Sequence, residues 1–207
     1  MLKIPVQNNY EIAYKEAVTE LRNKDLNDVC IKSGAAIDGA ASKNILLPFL
    51  NNIIDISYPG FEFKYKNKDD KIDLWLQILI LHYLNNAKGT GFTGKEITYK
   101  EISGGMAYYT AFKRRALDPI FKKFGSDLNR FILSAEKVGG VRTDTGDYSV
   151  NFHVLPMIKI SYNIWAADED FPAEANILFD SSITDYFTSE DITVLCNIIT
   201  IMIVKNN

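Results

Sequence analysis

Apolar residues first recur at helical spacing. Tyr10, Tyr14, Ala17, Val18 and Leu21 fall on one face of a helix predicted over 9–22, with Asn8 or Asn9 as its cap. A strand-rich stretch, 28–66, comes next. Val29–Lys32 reads as a short strand, Gly34-Ala35-Ala36 as a small-residue loop, and Asn44–Phe49 and Ile53–Ser57 as extended runs. Tyr58-Pro59-Gly60 signals a turn, because Pro presets φ and Gly accepts a positive φ. Phe61, Phe63 and Tyr65 then alternate with Glu62, Lys64 and Lys66, the pattern of a half-buried strand.

The period changes back to helical over 70–138. Asp69 or Asp70 is the expected cap of a helix whose body, Ile72 to Leu84, is apolar nearly all round; Gln77 and His82 are its exceptions. Such a helix belongs inside the protein. Its expected end is Asn85–Gly89, with Gly89 at the cap. Thr98–Ile102 reads as a short strand. Gly104-Gly105 opens a helix carrying Met106, Tyr109, Phe112 and Arg115, and Asp118-Pro119 restarts it. Ser126 is the expected cap of a further helix, Leu128–Val138.

The remainder, 148–204, is a hairpin and a helix. Tyr148–Phe152 is a candidate strand. Ile158, Ile160, Tyr162 and Ile164 alternate with polar neighbours, as do Ala175, Ile177 and Phe179, so the two runs form an antiparallel pair. Thr188-Ser189-Glu190-Asp191 has the form of a capping box before the last helix. Helices and strands come in clusters and do not alternate. The expectation is a single compact α+β domain over 1–207, with a mostly antiparallel sheet and flanking helices.

A chain of 207 residues can bury a sizeable core without disulfides or metals. The net charge of −3, with both signs interspersed, argues against a nucleic-acid partner. Leu74–Leu84 and Ile192–Val204 are the most apolar segments, and both fall short of the roughly 20 residues a membrane span requires. The first residues lack the apolar stretch of a signal peptide. Cys30 and Cys196 stand alone among apolar residues with no CxxC pair, which disfavours a cysteine-ligated zinc or iron–sulfur site and suits a reducing cytoplasm.

Candidate chemistry concentrates at the hairpin loop, where Asp168, Glu169 and Asp170 follow Trp165. Carboxylate oxygens suit a hard cation, with Asp168 and Asp170 as metal ligands and Glu169 as a base. The alternative is a solvated turn whose charges discourage edge pairing. Gly104 and Gly105, with Tyr108 and Arg115 on one face of the following helix, make a second candidate, for an anion. Asp180 is only a weak addition to the acidic loop. A tetrapyrrole, a corrinoid or zinc could use a histidine ligand, but His82 and His153, isolated and without metal-binding spacing, read rather as core histidines satisfied by carbonyls. No G-x-S-x-G motif occurs.

A set of landmarks carries a family resemblance. They are Ile80-Leu81-His82-Tyr83-Leu84, the run Gly94 to Gly105, Phe112-Lys113-Arg114-Arg115, Phe124-Gly125, Val138-Gly139-Gly140, Leu155-Pro156, Trp165 to Pro172, and Leu178-Phe179-Asp180. In order and spacing the chain resembles the uncharacterised prokaryotic family called domain of unknown function 3786. The resemblance implies a cytoplasmic protein of an anaerobic bacterium or archaeon. It raises a corrinoid as cofactor, because some relatives carry an added iron–sulfur segment like that of corrinoid iron–sulfur proteins. The cysteine run of that segment is not in this sequence.

Three functions stay open at this point. One is an accessory or small-ligand-binding domain, linked to corrinoid or iron–sulfur metabolism. Another is a metal-dependent enzyme using residues 168–170. The third is a protein-interaction module presenting the 158–180 hairpin edge or the helix after Gly104.

Overall fold

The computed structural model describes residues 7–39, 43–167 and 173–207. It is an α+β domain, as expected, and its antiparallel strands divide into two sheets. The first sheet has the order β1-β2-β3-β4: β1 (Ala36–Asp38), β2 (Asn44–Phe49), β3 (Asn52–Ser57) and β4 (Phe63–Tyr65). The second has the order β5-β9-β8-β7-β6: β5 (Glu96–Thr98), β6 (Gly140–Thr143), β7 (Tyr148–Leu155), β8 (Ile158–Trp165) and β9 (Glu174–Asp180). The alternation at 158–180 does pair antiparallel, with Tyr162 opposite Ile177. The sheets meet where Leu50 N–H donates to the Val154 carbonyl at 2.9 Å.

Helix α1 (Gln7–Arg22) lies on the buried helix α3 (Leu74–Asn86), and the Asn85 amide donates to the Ala17 carbonyl at 2.9 Å. Leu76, Leu79, Ile80 and Tyr83 of α3 are buried on several sides, as an all-apolar helix demands. The Tyr83 hydroxyl donates to the Ser33 carbonyl at 2.6 Å and accepts from Met157 N–H at 3.2 Å. One side chain thereby ties α3 to α2 (Leu26–Ser33) and to the β7–β8 turn. The last helix, α7 (Ser189–Lys205), packs on β8, where the Tyr162 hydroxyl donates to the Cys196 carbonyl at 3.1 Å.

Several local expectations change. Val29–Lys32 is helical, not a strand. Asp25 caps α2 by accepting Asp28 N–H at 2.8 Å, and Gly34 closes it at φ 69°. Leu26, Val29, Cys30 and Ser33 are its buried face. The next helix begins after Asp73, not Asp69 or Asp70, and ends at Ala87, not Gly89. Thr98–Ile102 is strand only to Thr98. Glu101 accepts from Thr98 N–H at 2.7 Å, and that bond bends the chain into a 3-10 turn. Asp127, not Ser126, caps α6 (Leu128–Lys137).

Helix α4 (Gly105–Phe112) does not run smoothly into α5 (Asp118–Phe124). A π-helical turn, Lys113–Leu117, lies between them. The Thr200 hydroxyl of α7 donates to the Ala116 carbonyl of this turn at 2.8 Å, which pins it to the last helix.

Candidate functional site

Helices α1, α3 and α7 leave between them a groove of about 660 Å³. Its walls follow from helical spacing. Trp75, Ile78, Leu79, His82 and Asn86 form one stripe of α3; Glu190, Asp191, Val194, Asn197 and Ile201 form another on α7. Tyr10, Ala13 and Glu20 reach it from α1, and Arg115 reaches it from the π turn. The lining combines apolar side chains with an equally large set of convergent polar and charged groups, the mixture by which a small-molecule site both binds and orients a ligand.

The polar centre is a pair 109 residues apart in sequence. His82 Nδ1 lies 2.7 Å from Asp191 Oδ1. The other carboxylate oxygen of Asp191 accepts Thr188 N–H at 3.1 Å and the Thr188 hydroxyl at 2.7 Å. The capping box at 188–191 therefore does two jobs: it starts α7 and holds Asp191 rigid against the histidine. Burial opposes the charge on Asp191, but the bonds from His82 and Thr188 outweigh it and hold its carboxyl below the usual range. The bond to Asp191 raises the pKa of His82 against the opposing effect of burial, and the carboxylates of Asp191, Glu20 and Glu190 add to the rise.

Because an ionised Asp191 can only accept, neutral His82 keeps its proton on Nδ1. Its Nε2 is then the acceptor, and it makes no hydrogen bond among the described residues. A carboxylate-oriented imidazole of this kind can take or give a proton at Nε2, or ligate a metal there. The expectation that His82 bonds a carbonyl is thus replaced by a carboxylate partner. His153 does bond a carbonyl, that of Pro156, at 3.0 Å.

The other predicted site residues lie apart from the groove. Asp168, Glu169 and Asp170 lie outside the described residues. Trp165 ends β8, and its ring sits against the turn at Gly146. Gly104 takes a positive φ of 78°, and Gly105 N–H donates back to Ile102 O at 2.8 Å. A Cβ at Gly105 would stand 1.9 Å from the Tyr99 carbonyl, which is a structural reason for glycine there. Tyr108 is largely exposed, and only Arg115 of that candidate set lines the groove. Helical spacing puts Tyr108 and Arg115 on one face, but the π turn interrupts that phase. Asp180 is committed elsewhere. Burial opposes its ionisation, yet bonds from Ser182, Thr93 and Gly94 hold its carboxyl far below the usual range.

A second, shallower cavity of about 450 Å³ adjoins the groove and shares Asn86 and Thr188 with it. Its Lys88 and Asp185 already pair at 2.8 Å. Among the described residues no three His, Cys, Asp or Glu side chains gather as a metal site. Both cysteines are buried. Desolvation pushes the Cys30 thiol up to about 11 and that of Cys196 higher still, which disfavours the reactive thiolate.

The sequence did carry signals for this site. His82 interrupts an apolar helix, and Asp191 sits in a readable capping box. Neither signal indicates that the two meet.

Among the described residues no helix is long and apolar enough to cross a membrane. No curated protein and no solved structure matches the chain. A family profile does match, across residues 25–202, which takes in α2, both sheets, the His82–Asp191 pair and most of α7. The chain therefore belongs to the family described as a domain of unknown function, DUF3786.

Proposed function

We propose that this chain is a small-ligand- or cofactor-binding domain whose site is the groove between α1, α3 and α7. The observation that carries the reading is the His82–Asp191 pair set into the wall of a cavity that also offers apolar surface from Trp75, Ile78 and Val194. Asp191 is satisfied by its bonds to His82 and Thr188, and beyond capping α7 it orients the imidazole so that Nε2 is left as an acceptor in the groove wall. The volume of about 660 Å³ lies within the roughly 300–1,000 Å³ typical of small-molecule sites. Neither cysteine suits nucleophilic work, so the polar groups read as recognition elements first.

The test is a melting-temperature screen of the full chain with cobalamins, haem, flavins and nucleotides, followed by the same screen on His82→Ala. The expected result is a rise with at least one class, lost in the variant. No shift with any class, and none with a small-molecule extract of a native lysate, overturns the reading. A triple variant, Asp168→Asn with Glu169→Gln and Asp170→Asn, separates the groove from the acidic loop: ligand binding should persist in it. If binding disappears there and survives in His82→Ala, the site is the loop.

A further inference from the structure

The groove has two chemically different ends. At the first turn of α7 stand His82 and Asp191, and the carboxylates of Glu20 and Glu190 act on the same imidazole. At the other end stands Arg115. The bond from Thr200 to the Ala116 carbonyl seats its π turn beside Ile201. Asp191 and Thr200 are about two and a half helical turns apart, so the ends are separated by about 13 Å along α7. Trp75, Ile78 and Val194 are among the apolar groups lining the groove.

Arg115 is half-buried, and among the described residues its guanidinium forms no ion pair and no hydrogen bond; its neighbour Lys113, by contrast, pairs with Asp118 at 3.8 Å. A guanidinium in the groove wall with no protein carboxylate on it among the described residues leaves its fork of donors available to an anion. The π turn that carries it is an interruption of the kind often found at functional sites.

We infer that the groove takes an amphipathic acid, its single anionic head on Arg115 and its apolar body along Trp75 and Val194 toward His82. This rests on the groove being a ligand site. A carboxylate or a phosphate head would satisfy the guanidinium by the same paired hydrogen bonds. A second acid at the far end is disfavoured, because it would meet the carboxylates of Glu20 and Glu190.

Calorimetric titration of the full chain with octanoate, octanamide, octyl phosphate and suberate tests this. Octanoate should bind on the order of tenfold tighter than octanamide, as a desolvated charge-assisted pair allows. Suberate should bind more weakly than octanoate. Whichever of octanoate and octyl phosphate binds more tightly identifies the head group. Arg115→Gln should erase the preference for acid over amide, Arg115→Lys should retain part of it, and the exposed Arg114→Gln should keep it whole. Equal binding of octanoate and octanamide overturns the inference while leaving the groove as a site for neutral ligands. So does an acid preference that survives in Arg115→Gln. Tighter binding of suberate than of octanoate removes the single-acid assignment. No binding by any of the four probes rejects the inference outright, and the cofactor screen then judges the wider reading separately.

Discussion

His82 behaves as it does because of one bond. Its folded pKa lies above the ordinary 6.5, so the stability it contributes is fully present below 6.5 and fades as pH rises through the raised value. Asp191 is shifted the other way. Its contribution is present above 3.8 and is lost as pH falls through its lowered value. The pair therefore stabilises most between those limits. The melting-temperature difference between wild type and His82→Gln should be greatest between pH 3.8 and 6.5 and shrink as pH rises through the raised value of His82. Nuclear magnetic resonance of the His82 ring should give a midpoint above 6.5; a midpoint below it would mean that burial, and not Asp191, dominates. At this scale the sequence is half legible. It marks His82 as an exception in an apolar run, but a partner 109 residues away has no local signature.

Among the elements, caps decide more than propensity. Val29–Lys32 is β-branched enough to read as a strand, yet Asp25 and Gly34 bracket it as helix α2. The Thr188–Asp191 box was readable as such, because its residues lie three apart and its hydrogen bonds are local. Thr188→Ala should cost about 1 kcal/mol in urea unfolding. It should also loosen Asp191, so its effect should be less than additive with His82→Gln. Strict additivity would show that the cap and the histidine are independent. The π turn at Lys113–Leu117 was not legible, since the same residues suit an ordinary α-helix. Its geometry depends on Thr200 arriving from α7 to satisfy the Ala116 carbonyl.

For the whole molecule, Tyr83 is the joint at which α2, α3 and the β7–β8 turn meet. Tyr83→Phe leaves the Ser33 carbonyl and Met157 N–H without this partner, so it should cost about 1–3 kcal/mol by denaturant unfolding. Hydrogen exchange at Met157 should accelerate by at least as much as global unfolding does. A variant as stable as wild type, with unchanged exchange, would mean that water replaces both bonds.

The sequence by itself determined what depends on near neighbours. Side-chain period set the hairpin 158–180, the buried character of α3 and the α+β class, because burial on one face imposes a repeat of two or 3.6 residues. The ordered landmarks marked the family. Only the tertiary structure decided that the strands divide into two sheets, that Asp191 meets His82, and that the π turn carries Arg115 to the groove while Tyr108 stays exposed. Each of these depends on segments far apart in the chain being brought together by the core, and contacts at that distance leave no period in a single sequence.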